Sequence, residues 1–221
     1  MHRCRTSVEI FAGENSVVNI VSVQKCGSDA KIFSFKEAVL SKDATVNMIF
    51  GSFGGSFHRL KSGTLLCGEG SNSEVLCGFK SSGKQHIDFT VNCNHAVPHT
   101  RNNIFAKGTV TDNSTSVFRG MIKVEKDAQQ TDSYLSDHTL ILSDKALANS
   151  IPSLQIEAND VKASHGATVG QIDEEQLFYL MTRGLSREQS EHLIVSGFFE
   201  PLIDRIVDKE HREIFRNAIA N

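Results

Sequence analysis

The sequence predicts a mainly β protein, built as a two-sheet parallel β-helix and followed by a small α-helical domain. Gly, Ser, Asn, Thr and Val are frequent up to about residue 170, and the chain has no Trp and only three Pro, which favours short strands and tight turns. A short motif recurs about every fourteen residues in this region. Beyond it, Glu, Gln, Leu, Phe, Arg and Ile predominate and favour helices. We therefore predict a β-helix at 1–170 and a helical domain at 171–221.

The recurring motif is an Asn or Asp, then Ser or Ala, then an alternating apolar run. The marked Asn and Asp residues stand at positions 15, 29, 43, 72, 113 and 127. These side chains tolerate the left-handed backbone of a tight turn, and the alternating run is typical of a strand. One unit therefore holds one strand and one turn, so two units make one coil of a parallel solenoid. An antiparallel sandwich also has regularly spaced strands and is the alternative.

Capping motifs in the tail predict three helices. Asp173 in "DEEQ" and Ser186 in "SREQ" can each cap the start of a helix, and Gly184 is expected to end the first one. Pro201 suits the first turn of a third helix. That third helix would carry Leu202, Ile203, Ile206 and Val207.

The apolar faces of these helices need a surface that covers them. Either the helices lie against an end of the solenoid and cap it, or they present Phe198 and Phe199 to a partner. The sequence alone favours neither arrangement.

Composition excludes several classes of partner. The formal net charge of −3 gives no basic footprint, so we expect no nucleic-acid partner. The sequence contains no run of eighteen apolar residues, and its first residues, "MHRCRTSVEI", lack the apolar stretch of a signal peptide. We therefore predict a soluble intracellular protein with no membrane partner. The five cysteines are widely spaced without a C-x-x-C pair, so we predict reduced and mostly buried thiols. A phosphate-binding G-x-x-x-x-G-K-[ST] motif is absent from the sequence, which does not support nucleotide binding.

Two groups of polar residues are candidates for chemistry. Cys93, His95 and His99 have a spacing that could bind zinc, but they lack a clear fourth ligand, and strand and turn positions are the favoured interpretation. Carbohydrate chemistry on a β-helix needs grouped carboxylates, whereas four aspartates here are spread over predicted turns among lysines. We interpret them as solvated turn residues. They are Asp127, Asp132, Asp137 and Asp144.

A histidine stands in the middle of the apolar stretch "VKASHGATVG" at 161–170. Alternation places His165 on the same strand face as Ala163, and residues two apart on a strand are about 6.6 Å from each other. Donors at both positions could converge on one metal or cluster atom. Position 163 is alanine, so this chain offers one donor, and further ligands would come from elsewhere or from another chain. The alternatives for His165 are a partner surface or a hydrogen-bonded core position.

This stretch and the following "QIDEEQLFYLMTRGLS" resemble the SufB/SufD family, scaffold proteins of iron–sulfur cluster assembly, and the SufD branch in particular. The resemblance covers about residues 5–220 and extends through 98–110 and 118–146. Gly166 follows His165, where the SufB pattern has Glu. The SufD pattern reads Cys-Ser-His-Gly, and Ala163 replaces its Cys. The resemblance implies a right-handed parallel β-helix followed by a small helical domain.

The resemblance also implies a role. The chain would be a non-enzymatic scaffold subunit in the cytoplasm, or in the plastid of a photosynthetic eukaryote. It would pair with a SufB-like protein through the β-helix ends and bind a SufC-like ATPase through the C-terminal helices. His165 would be a ligand of a transient iron–sulfur cluster or metal shared with the partner chain. The partner-binding residues assigned to the helices are Phe178, Tyr179, Arg183, Phe198 and Phe199.

Two other functions stay open at this point. A homodimer that pairs its edge strands with a second copy would satisfy the free backbone groups of an open solenoid end without any cluster role. A carbohydrate-active β-helix enzyme is less favoured, because grouped carboxylates are not evident.

Overall fold

A computed structural model describes residues 2–220, which form twelve β-strands followed by three α-helices. The strands are β1 (His2–Ala12), β2 (Val17–Gln24), β3 (Ala30–Leu40), β4 (Thr45–Ser52), β5 (Phe57–Leu66), β6 (Asn72–Ser81), β7 (His86–His95), β8 (Arg101–Val110), β9 (Thr115–Val124), β10 (Asp132–Ile141), β11 (Leu147–Ile156) and β12 (Lys162–Gln171). The helices are α1 (Glu174–Thr182), α2 (Arg187–Ile203) and α3 (Lys209–Ala220).

The strands alternate between two parallel sheets, which confirms the predicted two-sheet β-solenoid. Sheet A contains the odd-numbered strands in the order β1-β3-β5-β7-β9-β11, and sheet B contains the even-numbered ones in the order β12-β10-β8-β6-β4-β2. His2 pairs with Ala30, an offset of 28 residues, which is twice the predicted repeat. Each coil thus uses two repeats, and the antiparallel sandwich is excluded.

Turns between strands use the marked Asn and Asp residues only in part. Asn15 and Asp43 have φ angles of 58° and 53°, the left-handed conformation that the motif predicts. In the turn before β9 this conformation falls on Asp112, one residue ahead of the marked Asn113. Asn72 lies inside β6 instead. The repeat therefore predicts strand spacing more accurately than it predicts the turn residue.

Inward side chains stack in columns along the solenoid axis, because paired residues of parallel strands point to the same side. One column of sheet B is fully buried and apolar. Its members in successive coils are Met48, Val75, Ile104 and Leu135. Sheet A faces it with Phe89 and Phe118. Burial of each such side chain stabilises the fold by about 1.5–3 kcal/mol.

One inward column contains a position, Gly108, where a side chain larger than that of glycine would not fit. Gly108 on β8 pairs with Phe79, and a Cβ at this position would lie 2.0 Å from Cζ of the buried Phe79 ring. That ring is held edge-on against Phe89 at 5.7 Å. Because the ring has no free space to move into, we expect Gly108→Ala to lower the free energy of unfolding by about 2–3 kcal/mol. Urea denaturation measures this loss.

Gly13 provides the matched control for this substitution. A Cβ at Gly13 would meet no atom within 4 Å, so Gly13→Ala should change the free energy of unfolding by less than about 0.5 kcal/mol. Equal effects of the two substitutions would contradict the predicted steric conflict at Gly108.

The helices pack on the outer face of sheet B, so the first of the two alternatives, that they cap a solenoid end, is wrong. Ile49, Leu76 and Phe105 point outward from this sheet and join a second apolar core. The helices contribute Val195, Phe199, Leu202, Ile203, Ile206, Phe215 and Ile219 to that core. Among the described residues, no helix is long and apolar enough to cross a membrane.

The predicted helix caps are confirmed. The Asp173 carboxylate accepts a hydrogen bond from the Glu175 backbone N–H at the start of α1. Ser186 and Gln189 form a reciprocal capping box at the start of α2. Gly184 follows α1 with a φ angle of 94°, a left-handed conformation that suits glycine at a helix end.

The predicted start of the third helix at Pro201 is wrong. Pro201 lies inside α2, which continues to Ile203, and α3 begins only at Lys209. Proline would conflict most with the residue four positions earlier, which is Gly197 and has no side chain. Leu202 and Ile203 are almost completely buried in the second core, and this burial favours continuation of the helix.

The cysteines are all free thiols, but most of them are not buried. Cys77 and Cys93 lie inside the solenoid, Cys26 is half-buried, and Cys4 and Cys67 are exposed. The prediction of mostly buried thiols is therefore wrong for three of the five. All three stand either on the first strand, as Cys4 does, or in a turn between strands, as Cys26 and Cys67 do.

Candidate functional site

The C-terminal end of the solenoid is an open mouth. In the described part of the chain, β11 and β12 each have a hydrogen-bonded neighbour on one side only. Four large apolar side chains are exposed on these two strands: Leu147 (61%), Ile151 (48%), Ile156 (40%) and Val169 (41%). Free strand edges combined with exposed apolar side chains are typical of a surface that pairs with another chain.

His165 projects from the inner face of the last strand. The register of β12 on β10 places His165 beside Leu135 and Ala163 beside Ser133, and both of these neighbours are buried inside the solenoid. His165 therefore continues an interior column, as the alternation predicts, but no further coil covers it and the residue is exposed. Within residues 2–220 its imidazole makes no hydrogen bond. These facts do not fit the core interpretation.

Within residues 2–220, His165 is the one His, Cys, Asp or Glu side chain on the inner face of β12. Ala163, two residues before His165, carries no donor atom. Across residues 2–220, no group of three or more His, Cys, Asp or Glu side chains is arranged to hold a metal ion. A cluster bound at this mouth would therefore need ligands from a second chain.

The structure does not bring Cys93, His95 and His99 together. Cys93 and His95 point inward from β7, with Sγ and Nε2 3.6 Å apart, whereas His99 lies exposed in the following turn with a φ angle of 57°. Burial raises the pKa of the Cys93 thiol and lowers the pKa of His95 to about 4. His95 Nδ1 is also hydrogen-bonded to Thr100 at 2.7 Å. This pair suits a neutral core contact, as the favoured interpretation predicts.

Asp137 is buried one coil below the mouth, so its interpretation as a solvated turn residue is wrong. It points inward from β10, pairs with Ala167 on β12 and is 1% exposed. Neither carboxylate oxygen has a hydrogen-bond partner in the described residues. Burial raises the pKa of Asp137 to about 6, and the nearby Ser150 and Thr139 hydroxyls offset part of this shift.

The other three aspartates are exposed, as predicted. They are Asp127, Asp132 and Asp144. Alternation could have identified Asp137 as the exception, because it stands two residues after Leu135 and therefore on the same inner face.

The residues assigned to partner binding on the helices differ in exposure. Phe178 and Tyr179 on α1 are 69% and 57% exposed, and Arg183 donates a hydrogen bond to the Tyr179 Oη at 3.2 Å. Phe198 is half-buried beneath the Lys107 ammonium, which lies 4.2 Å from its ring centre. Phe199 is completely buried in the second core. Of these five residues, Phe178 and Tyr179 of α1 are therefore the most exposed aromatic ones.

Comparisons with known proteins agree with this architecture. A family model described as "SUF system FeS cluster assembly, SufBD core domain" matches residues 3–198. An iron–sulfur cluster assembly SufBD family protein of Mycobacterium bovis is 31% identical over 221 aligned residues, which cover 96% of this chain and 56% of the relative.

Two Bacillus subtilis relatives carry more specific names. The iron–sulfur cluster assembly protein SufD is 28% identical, with 90% of this chain and 46% of the relative covered. The iron–sulfur cluster assembly protein SufB is 29% identical, with 88% of this chain and 42% of the relative covered. This chain spans about half the length of the curated relatives it matches.

Proposed function

Because the chain belongs to the SufBD family of iron–sulfur cluster assembly proteins, we propose that it acts as a SufD-like scaffold subunit. In this proposal it pairs with a SufB-like protein and binds a SufC-like ATPase, and it performs no catalysis itself. The nascent cluster is the cargo of the complex. The observation that carries the proposal is the open mouth, where His165 ends an interior column at a free strand edge.

The SufB-like partner is assigned to the mouth. At the mouth, the free edges of β11 and β12 have unpaired backbone groups, and a second solenoid placed against them would continue both sheets. The exposed Val169, on the inner face of β12, would become buried in that contact. A second copy of this chain would fit the same edges, so the experiment must also measure self-association.

His165 contributes one ligand to the cluster in this arrangement. A neutral imidazole binds iron through one ring nitrogen, and the remaining ligands would come from the SufB-like chain. Ala163 excludes a thiolate contribution from the neighbouring inward position. Cluster assembly at this mouth therefore depends on the heterocomplex.

The SufC-like ATPase is assigned to α1. Only Leu177 of this helix is buried, and Phe178 and Tyr179 form an adjacent aromatic pair on its exposed side. Aromatic residues are enriched at protein interfaces, and burial of such a pair supplies much of the energy of a small contact.

Two surface variants should separate the two partners. Val169→Lys places a charge on the inner side of the edge strand, so it should abolish copurification with the SufB-like protein but retain the ATPase.

Phe178→Ser combined with Tyr179→Ser should lower ATPase affinity by about tenfold or more and retain the SufB-like protein. Copurification and light scattering of the coexpressed proteins measure both outcomes.

Phe11→Lys is the matched control for this experiment. Phe11 is 77% exposed on β1, at the opposite end of the solenoid, so the substitution should leave both partners bound. Failure of the wild-type chain to bind either partner would overturn the proposal. A homodimer that Val169→Lys dissociates, without binding of a SufB-like protein, would favour the structural homodimer instead.

A further inference from the structure

The outer face of sheet A carries a dense group of basic and aromatic side chains. Strand alternation and pairing place nine outward positions of β1, β3 and β5 in a grid of three by three. We call this grid the basic–aromatic face. Its members are Arg3, Arg5, Ser7, Lys31, Phe33, Phe35, Phe57, Arg59 and Lys61. Five are basic, three are phenylalanine and none is acidic, which differs from the mixed charge of the whole chain.

No described element covers this face. The helices pack on the outer face of sheet B, and the second apolar core lies between them and that sheet. Arg3, Arg5 and Lys61 are exposed, and the three phenylalanines are half-buried. Four of the five cations make no ion pair or hydrogen bond with their side chains within residues 2–220. These four are Arg3, Arg5, Lys31 and Lys61. Four cations of this face are thus left without a paired carboxylate on a chain of net charge −3.

One ring of this face, that of Phe57, has a ring face covered by a neighbour. Phe57 and His86 stand on adjacent strands and are stacked, with ring centres 5.4 Å apart and planes only 3° from parallel. Stacking between neighbouring strands requires ring planes that stand upright on the sheet. The ring centre of Phe33 lies 5.6 Å from that of Phe57, and the two ring planes are tilted by 47°.

The stacking of Phe57 distinguishes between two classes of anionic ligand. Single-stranded nucleic acids bind sheets by stacking bases on exposed ring faces, and Phe57 has one face occupied by His86. Ring edges carry partial positive charge and therefore attract carboxylate oxygens, as the neighbouring ammonium and guanidinium groups do. The face consequently suits carboxylates better than bases.

The chain contains an internal example of this preference. Asp88 on β7 lies at the border of the grid, and its carboxylate contacts Arg59 at 3.6 Å and Arg119 at 2.6 Å. Asp88 is 8% exposed, so its carboxylate is held between two guanidinium groups on the outer face. The same pattern of carboxylate between cations could be repeated over Arg3, Arg5 and Lys31 by a second molecule.

We propose that the basic–aromatic face docks an acidic, partly apolar segment of a partner protein. Alternate residues of an extended segment are about 6.6 Å apart, which matches the spacing of Arg3 and Arg5 along β1. Carboxylates of the segment contact the four unpaired cations and the edge of the Phe57 ring, and its apolar side chains cover Phe33 and Phe35. This docking is independent of the mouth, which lies at the other end of sheet A.

Fluorescence anisotropy with a fluorescein-labelled peptide of repeated Glu-Glu-Leu units tests the proposal. The test variant combines Arg5→Ser, Lys31→Ser and Lys61→Ser, and should weaken peptide binding by about tenfold because three charge contacts are lost. The control variant combines Lys126→Ser, Lys145→Ser and Lys209→Ser, which removes the same charge far from the face. Its affinity should change by less than about twofold.

Three outcomes would overturn the proposal. Equal weakening in both triple variants would mean that the peptide responds only to net charge. Tighter binding of a labelled oligothymidylate than of the acidic peptide would assign the face to nucleic acid. Tighter binding of phosphatidylserine vesicles would assign it to an anionic membrane surface. Thermal unfolding of each variant, followed by circular dichroism, confirms that the compared proteins are folded.

Discussion

His165→Ala is expected to lower the iron and acid-labile sulfide bound by the reconstituted complex by about tenfold or more. Substitution of residues that only hydrogen-bond to a metal ligand already reduces metal affinity by about 10–100-fold. His165 is itself the proposed ligand, and among residues 2–220 it is the one His, Cys, Asp or Glu on the inner face of β12. The free energy of unfolding should stay within about 0.5 kcal/mol of wild type, since the imidazole is exposed and makes no hydrogen bond within residues 2–220. Anaerobic reconstitution with the SufB-like partner, followed by iron and sulfide analysis, measures the effect.

A second variant tests the direction of the same argument. Ala163→Cys restores a thiolate at the inward position two residues before His165, where the two side chains share one strand face. We expect this variant to retain more cluster than wild type, and we expect His192→Ala, at an exposed histidine of α2, to change nothing. Unchanged iron and sulfide content in His165→Ala would show that the imidazole is not a ligand.

The solenoid was predictable because the spacing of its sequence repeat also sets which strands pair with each other. Each coil pairs with the next at an offset of about two repeats, so regular strand spacing along the chain fixes the register between neighbours. Alternation then decides which side chains point inward. This local information was sufficient to place His165 at the inner face of the last strand.

The position of the helices was not predictable from their own sequence. Capping residues define where α1 and α2 begin, but the surface that receives the helices is formed by sheet B residues much earlier in the chain, Ile49, Leu76 and Phe105. One indication was present in β4, where Met48, Ile49 and Phe50 are all buried and break the alternation. A strand that is apolar on both faces must be covered on both faces.

The ligands that His165 needs could not be predicted, because they belong to another chain. Asp137 is a different case, since its position two residues after Leu135 indicated an inward orientation. Aspartate is frequent in turns, and this preference led to the incorrect assignment of Asp137 to a turn. The resulting error concerns the one described carboxyl group with a strongly raised pKa.

Asp137→Asn is expected to stabilise the protein at pH 7 by up to about 3 kcal/mol. Burial raises the pKa of Asp137 from 3.8 to about 6, and each pKa unit corresponds to about 1.36 kcal/mol. Between these two values the unfolded chain loses its proton while the folded chain keeps it. Wild-type stability contributed by this group is therefore lost as pH rises from about 4 to about 6, and the loss is complete above that range.

Asparagine has nearly the same shape and does not ionise, so the variant avoids this loss. Its amide could donate to the Ser150 Oγ, which is buried and has no hydrogen-bond partner in the described residues. Urea denaturation at pH 4 and pH 7 should show nearly equal stability at the lower pH and the full difference at the higher one. Asp132→Asn, at an exposed residue of the same strand, should show no such divergence. A stability difference that does not vary with pH would mean that Asp137 is not a buried titrating group.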